Sequence, residues 1–391
     1  MQEVSSTTRK VLLLLGCILF FANNHVISIA LPLLISSSGI GLEIVGYCTA
    51  GMGAMTIIAK LFTTKTLGKF RLTTVLITIY TLLCIISAGL CLAKTATPII
   101  MLRTLYGAPF SLFPIVNLMV VATTSKDDKE LRKTTSFIGM AMPISITVSP
   151  LLVEALTQRV SYKTIFFVAL TCSMLSATIY LFATNKGKTP SEERTKETKD
   201  PTSSKISSLT SPSTISFFFL GIVDILTLTY FPLIATYQEK NYSLFFAVFA
   251  ISMVLSQSFY PKLRMADNRK LTIGYLLLGI SAFFIAVCST SFGLFSTLAA
   301  VLLGIGYSLT ETTTNMIGIE SNEGNSKTIT YQQLSICLGR TIGPWFISLF
   351  ATSQDMLSQC FLGIGISMLI PVVLCHFEKE RSWRKPSMPE G

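Results

Sequence analysis

Twelve times along its length the sequence holds an almost uncharged apolar run of the size that a bilayer demands. These runs lie near residues 11–35, 44–63, 72–93, 97–122, 134–156, 163–184, 213–238, 243–261, 271–290, 293–318, 329–350 and 355–376. A hydrocarbon layer about 30 Å thick takes roughly 20 helical residues to cross. Without water in that layer, backbone N–H and C=O groups must bond to one another, so only helices and closed barrels can span it. Runs this long and this uniformly apolar exclude the alternating strands of a barrel. The expected fold class is therefore all-α and polytopic, with twelve transmembrane helices. A hydrophobic share of 50%, a charged share of 13% and a mean hydropathy of +0.61 point the same way, outside the range of a soluble domain.

Arg9 and Lys10 ahead of the first run imitate a secretory signal. That run is too long for one, lacks a small-x-small cleavage site at the right distance and is followed by eleven more, so it reads as a retained helix. The net charge of +11 invites a nucleic-acid reading, which the placement of the charges argues against. With a cytoplasmic N-terminus, 25 of the 31 Lys and Arg residues fall in cytoplasmic segments; Lys94, Arg159, Lys163 and Lys240 fall outside, and Arg103 and Arg340 lie within helices. The positive-inside rule then places both termini in the cytoplasm, and basicity sets topology with no nucleic-acid partner. The first run's reading as a retained helix rather than a cleavable targeting signal favours a bacterial inner membrane. Nine cysteines, odd in number and all within the apolar runs, do not form the loop-borne pattern of a disulfide framework.

The longest polar stretch, "NKGKTPSEERTKETKDPTSSKISSLTSPS", starts at Asn185 and has almost nothing apolar to bury, so it reads as a solvated linker. It sets the expected organisation: a six-helix bundle over 1–184, a cytoplasmic linker over 185–212, a second six-helix bundle over 213–378 and a cytoplasmic tail over 379–391. Signs of an internal repeat agree. "KLFTTKTLGKFR" after the second run has a counterpart in "PKLRMADNRK" after the eighth, and "ITVSPLLVEAL" in the fifth has one in "GRTIGPWFISL" in the eleventh, with matching points about 194 to 202 residues apart.

In this layout and in three local patterns the chain resembles the major facilitator superfamily of secondary transporters. The superfamily's loop motif between helices two and three is represented by Gly68, Lys69 and Arg71, with Leu61 at its first glycine position and Lys65 where an acid is usual. The resemblance gives that acid a gating role, for which Asp267 in the matching loop of the second half is the alternative. "LRTLYGAPFSLF" resembles the Arg-x-x-x-Gly motif of helix four, with Arg103 and Gly107 one turn apart. An arginine inside a span is costly unless it faces a cavity or partner, and the resemblance implies proton transfer or substrate steering; the alternative is an arginine snorkelling to the interface. "GMAMPISITVSPLLVEAL" resembles a reduced form of the fifth-helix motif of exporters, keeping Gly139, Pro143 and Pro150 with Ser149 in place of a glycine. Small residues and a bend there would let the helix pack tightly across the half-to-half interface. Ser335, Gly339 and Gly343, ahead of Pro344 in the eleventh run, repeat the theme. Ordinary close packing is the alternative for both.

Polar residues inside the runs are the candidate site. "FFANNHVISIA" places Asn23, Asn24 and His25 side by side in the first run. On a helical wheel Asn24 and His25 share a face with Phe21 and Ser28, while Asn23 points towards Phe20 and Ile27, so one asparagine is expected to make an interhelical hydrogen bond. The resemblance implies that helices one, four, seven and ten line a central cavity, where Asn24 and His25 would meet substrate or water. Histidine can change charge near neutral pH, although it can equally serve as a neutral hydrogen-bonding group. Asp224 in the seventh run and Glu311 in the tenth are mid-membrane acids, and a carboxyl group in such a place can bind and release a proton. Tyr307, Glu311 and Asn315 recur every four residues on one polar face. A buried ion pair of either acid with Arg340 is the structural alternative.

No phosphate-binding Gly-x-x-x-x-Gly-Lys-Ser/Thr stretch, His-Glu-x-x-His, Cys-x-x-Cys pair or Gly-x-Ser-x-Gly occurs. The expectation is thus neither an ATP-driven pump nor an enzyme, with no metal or cofactor and a proton gradient as energy source. The function expected is proton-coupled export of a small polar or amphipathic organic molecule, such as a drug, metabolite or metallophore, by a monomer in the bilayer. Alternatives are an ion-coupled nutrient importer and a non-transporting receptor or assembly protein on the same scaffold.

Overall fold

The computed structural model describes residues 6–66, 71–124, 128–184, 212–287, 292–320, 326–350 and 354–375. The chain divides into two compact units, Met1–Ser204 and Lys205–Gly391. Of the expected linker only Pro212 is among the described residues, and the expected tail lies outside them.

The first unit contains α1 (Ser6–Ser37), α2 (Glu43–Thr66), α3 (Leu72–Leu92), α4 (Ala96–Thr124), α5 (Asp128–Gly139), α6 (Ala141–Thr157) and α7 (Tyr162–Thr184). The second contains α8 (Pro212–Tyr237), α9 (Ser243–Phe259), α10 (Asp267–Val287), α11 (Phe292–Glu320), α12 (Ser326–Phe350) and α13 (Gln354–Ser367). A 3-10 turn, Tyr260–Lys262, extends α9. No strand occurs among the described residues. Ten helical spans among them are long and apolar enough to cross a bilayer, the last being Met356–Cys375; α9, at 17 residues, is shorter. The protein is an all-helical, multi-pass membrane protein.

The fifth apolar run is two helices, with the joint at Met140. Proline explains the position: Pro143 has no N–H to give, and its ring crowds the carbonyl four residues back, at Gly139. Six other prolines, Pro32, Pro109, Pro114, Pro150, Pro232 and Pro344, lie within continuous helices.

Within each unit the helices pair by one scheme. In the first, α1 packs on α6 and α7, α2 on α4, and α3 on both α4 and α7; in the second, α8 packs on α12 and only slightly on α13, α9 on α11, and α10 on both α11 and α13. Two glycines mark the same crossing in each. A Cβ on Gly107 would run into the Met52 carbonyl oxygen and come within 2.9 Å of the Thr56 nitrogen; one on Gly304 would meet the Phe249 carbonyl oxygen at 2.5 Å and the Met253 nitrogen at 2.9 Å. Each member of the second trio stands 197 residues beyond its counterpart. A residue with no side chain is what lets two backbones meet this closely in a membrane, where van der Waals contact drives helix association.

Candidate functional site

Hydroxyl side chains need little from their neighbours in such a helix. Those of Thr49, Thr56, Thr147, Thr236, Thr314 and Thr341 donate to the carbonyl four residues earlier, at 2.7 to 3.0 Å. Amides and charges have no such local outlet, so their partners across helices define the interior chemistry.

Asn23, Asn24 and His25 go three separate ways. Asn23 is fully buried and ties four helices together. Its amide nitrogen donates to Ser87 Oγ on α3 at 3.1 Å and, on α7, to the Ala169 carbonyl at 2.8 Å and Ser173 Oγ at 2.9 Å. Its Oδ1 accepts from the Tyr106 hydroxyl on α4 at 2.6 Å. His25 Nδ1 sits 2.9 Å from Ser145 Oγ on α6, and its ring lies alongside that of Phe21, with centroids 6.5 Å apart. Asn24 is also buried, yet its Oδ1 has no hydrogen-bond partner among the described residues.

Arg103 does not snorkel. It is 2% exposed, its Nη2 donates to Ser28 Oγ at 2.6 Å, and its guanidinium lies over the Tyr106 ring, 4.9 Å from the centroid. Gly107, one turn on, serves the crossing with α2.

In the second unit Arg340 of α12 grips Asp224 of α8: Nε and Nη2 donate to Asp224 Oδ2 at 2.9 and 2.5 Å. The pair is well shielded, with side-chain exposures of 21% for Arg340 and 6% for Asp224. Three glycines bring the two helices close enough for this short acid to reach. A Cβ on Gly221 would meet the Ile336 carbonyl, one on Gly339 the Phe218 carbonyl, and one on Gly343 the Ile222 side chain at 3.2 Å. The small-residue stripe of α12 thus faces α8 of its own unit, where the sequence suggested a role between halves. Ser335 joins in, donating to the Thr214 carbonyl at 2.5 Å.

On α11, Tyr307 is buried and interacts electrostatically with Asp224, Arg340 and Glu311. Glu311, one turn further, is within electrostatic range of the pair but makes no hydrogen bond or ion pair among the described residues. It is half-buried, whereas Asn315, another turn on, is exposed. The polar stripe of α11 thus runs from a packed phenol through a part-open carboxyl to an exposed amide. Among the described residues no three His, Cys, Asp or Glu side chains gather as metal ligands would.

The sequence model of the Major Facilitator Superfamily matches residues 13–344. The chain belongs to that superfamily. Its fold is shared with solved transporters. A mutant of the nucleoside transporter NupG superposes with a TM-score of 0.74 at 11% identity, covering 94% of this chain and 99% of that one. A mutant of the peptide transporter POT in complex with alafosfalin gives 0.75 at 12% identity, covering 97% and 99%. No curated protein matches the sequence.

Of the superfamily's loop motif, Gly68 and Lys69 lie outside the described residues, as does the side chain of Lys65. Arg71 is the exposed residue that opens α3. Asp267 opens α10, where an acid is favoured by the helix dipole, and it binds Lys270 of the same helix at 2.9 Å. Lys270 in turn lies over the Tyr260 ring, 4.7 Å from its centroid. In the fifth-helix motif Pro143, Ser149 and Pro150 are buried and Gly139 is exposed. Sequence reasoning did not single out Tyr106 or Ser145 as partners; hydroxyl-bearing residues are too frequent in these helices to stand out until their neighbours are known.

Proposed function

We propose that the chain is a proton-coupled secondary transporter exporting a small polar or zwitterionic organic molecule by alternating access, with Glu311 as the proton-carrying group. The observation that carries this reading is the contrast between the two acids. Asp224 is neutralised by a two-pronged arginine contact, while Glu311, within electrostatic range of that pair, has no hydrogen-bond or ion-pair partner among the described residues and is part-open. A carboxylate in the middle of a membrane is costly unless it is paired or protonated. A proton and a cationic group of the cargo would compete for Glu311, and that competition is what exchange of one for the other requires. Inward proton movement would then drive outward cargo.

The fifth-helix pattern of Pro143, Ser149 and Pro150 supports export. The excess of Lys and Arg in alternate loops supports cytoplasmic termini, in the manner of a bacterial inner-membrane protein. The two six-helix bundles on either side of the linker would act as the moving bodies.

The test is substrate-induced proton movement in proteoliposomes, across a panel of polar metabolites and drugs. The wild type is expected to move protons with a cargo that Glu311→Gln cannot couple. A cargo carried equally well by Glu311→Gln, with the same proton movement, would remove Glu311 from the mechanism.

A further inference from the structure

The two units differ in one helix contact, and the difference leaves a space. In the first unit α7 lies along α1, so close that a Cβ on Gly16 would stand 2.6 Å from the Tyr180 ring. In the second unit α13, the counterpart of α7, packs on α10 but touches α8 only slightly. Between α8, α12 and α13 lies a cavity of about 550 Å³. α8 lines it with Phe218, Ile222 and Leu226, α12 with Gly343 and Phe346, and α13 with Gly363. A Cβ added to Gly363 would have nothing within 4 Å, as expected of a glycine that borders open space. None of the described lining residues is charged. The polar part of the lining is Gln359, Cys360 and Ser367, and the Ser367 hydroxyl donates to the Ile364 carbonyl of its own helix at 2.8 Å. Asp224 stands two residues from both Ile222 and Leu226 and so leaves α8 on the opposite side, which keeps the cavity apart from the Asp224–Arg340 pair.

Such walls suit hydrocarbon. An empty apolar void forfeits the dispersion contacts that hold membrane helices together, and water would find no partners in it. Shape narrows the occupant further. The cavity follows α13 from Met356 to Ser367, about 16 Å at a rise of 1.5 Å per residue, which leaves a mean cross-section of roughly 35 Å². A helix with its side chains is about 10 Å across and needs roughly 80 Å², so neither a helix of a second copy nor one of another protein fits. The sequence over 379–391 is dense in Lys, Arg and Glu and supplies no apolar plug. An extended hydrocarbon chain is narrow enough, and the rim gives it a way in from the bilayer, because Ile342, Phe346 and Phe350 of the eleventh apolar run are exposed there.

We propose that this cavity holds an acyl chain of a bilayer phospholipid, which does in the second unit what the close packing of α7 on α1 does in the first. The chain lies between α8 and α13, alongside Gly363. The headgroup stays outside and is not selected, since no described charged side chain lines the cavity. This inference rests on the membrane fold, and on neither the direction of transport nor the role of Glu311.

The test uses purified full-length protein in phosphatidylcholine vesicles doped with a phosphatidylcholine that carries a diazirine midway along one acyl chain. After illumination, labelled residues are mapped by mass spectrometry of peptides. Label is expected on Phe219 and Leu226 of α8, which line the cavity at 8% and 0% exposure and are out of reach of lipid that merely surrounds the protein. Exposed Phe182 and Leu298 should be labelled by that surrounding lipid. Gly363→Phe, whose ring would occupy the cavity, should abolish the label on α8 and leave that on Phe182 and Leu298 unchanged. Should Gly363→Phe not fold, Gly363→Leu carries the comparison, with a partial loss on α8. Absence of label on Phe219 and Leu226 in the wild type, or label undiminished by the Gly363 substitutions, would overturn the assignment. A free fatty acid bearing the same diazirine that labels α8 where the phospholipid does not would overturn it too, marking a pocket for an amphipathic cargo. No proton gradient or cargo enters this experiment, so it and the Glu311 flux experiment can fail separately.

Discussion

Eight residues before Pro32 in α1 stands Asn24; eight residues before Pro232 in α8 stands Asp224. The two units share helix pairing and the glycine at the α4/α2 and α11/α9 crossings, yet the corresponding position is a neutral amide in one and a charged acid in the other. Their partners differ to match. Between α1 and α6, His25 Nδ1 lies 2.9 Å from the Ser145 hydroxyl, a neutral hydrogen bond. Between α8 and α12 it is an ion pair. Position 339 is a glycine that lets α12 close on α8, and 194 residues earlier the chain has Ser145 itself. The repeat has kept backbone crossings, which packing enforces, and has let the polar chemistry diverge: among the described residues, a buried arginine with no carboxylate partner in the first unit, and a paired arginine with a nearby second acid in the other.

If that division is right, the largest effect belongs to Glu311. Glu311→Gln should reduce cargo-driven proton movement in proteoliposomes to the level of empty vesicles, while Ser145→Ala in the first unit leaves it detectable. Next comes the ion pair. Asp224→Asn or Arg340→Gln alone should each destabilise the protein by about 3 kcal/mol, because the remaining charge is left buried, and the double substitution should cost less than the sum of the two. Denaturant or thermal unfolding in detergent measures this. Asn23→Ala should cost about 2 kcal/mol by stranding buried donors and acceptors on α3, α4 and α7. Gly339→Ala should cost a similar amount, about 1–3 kcal/mol, since its Cβ would meet the Phe218 backbone. Ser145→Ala, which removes the hydrogen bond to His25, falls between the Gly339 and Gly363 substitutions at about 1 kcal/mol. Gly363→Ala on α13, with nothing within 4 Å of the added carbon, should stay within about 0.5 kcal/mol of wild type.

Much of this was legible in the sequence because membranes punish exceptions. Apolar run length pointed to the helical spans, and the opposed placement of Asn23 and Asn24 on the α1 wheel called for an interhelical hydrogen bond from one of them, which Asn23 makes with four partners. The broken fifth helix was not foreseen, although Pro143 and Gly139, four residues apart, carry the reason for it. Which acid Arg340 would hold was open, since the pair is 116 residues apart in sequence and only the α8/α12 crossing decides it. The direction in which the stripe of Gly339 and Gly343 faces was likewise hidden, because small residues at four-residue spacing suit any close helix neighbour.

The most direct test of the central claim, that Glu311 is the group taking up the proton, is pH-difference infrared spectroscopy of the protein in lipid. The account predicts a carboxyl stretching band that appears on acidification in wild type and in Arg103→Lys but is missing from Glu311→Gln. The same band persisting undiminished in Glu311→Gln would contradict it and move the proton to another acid.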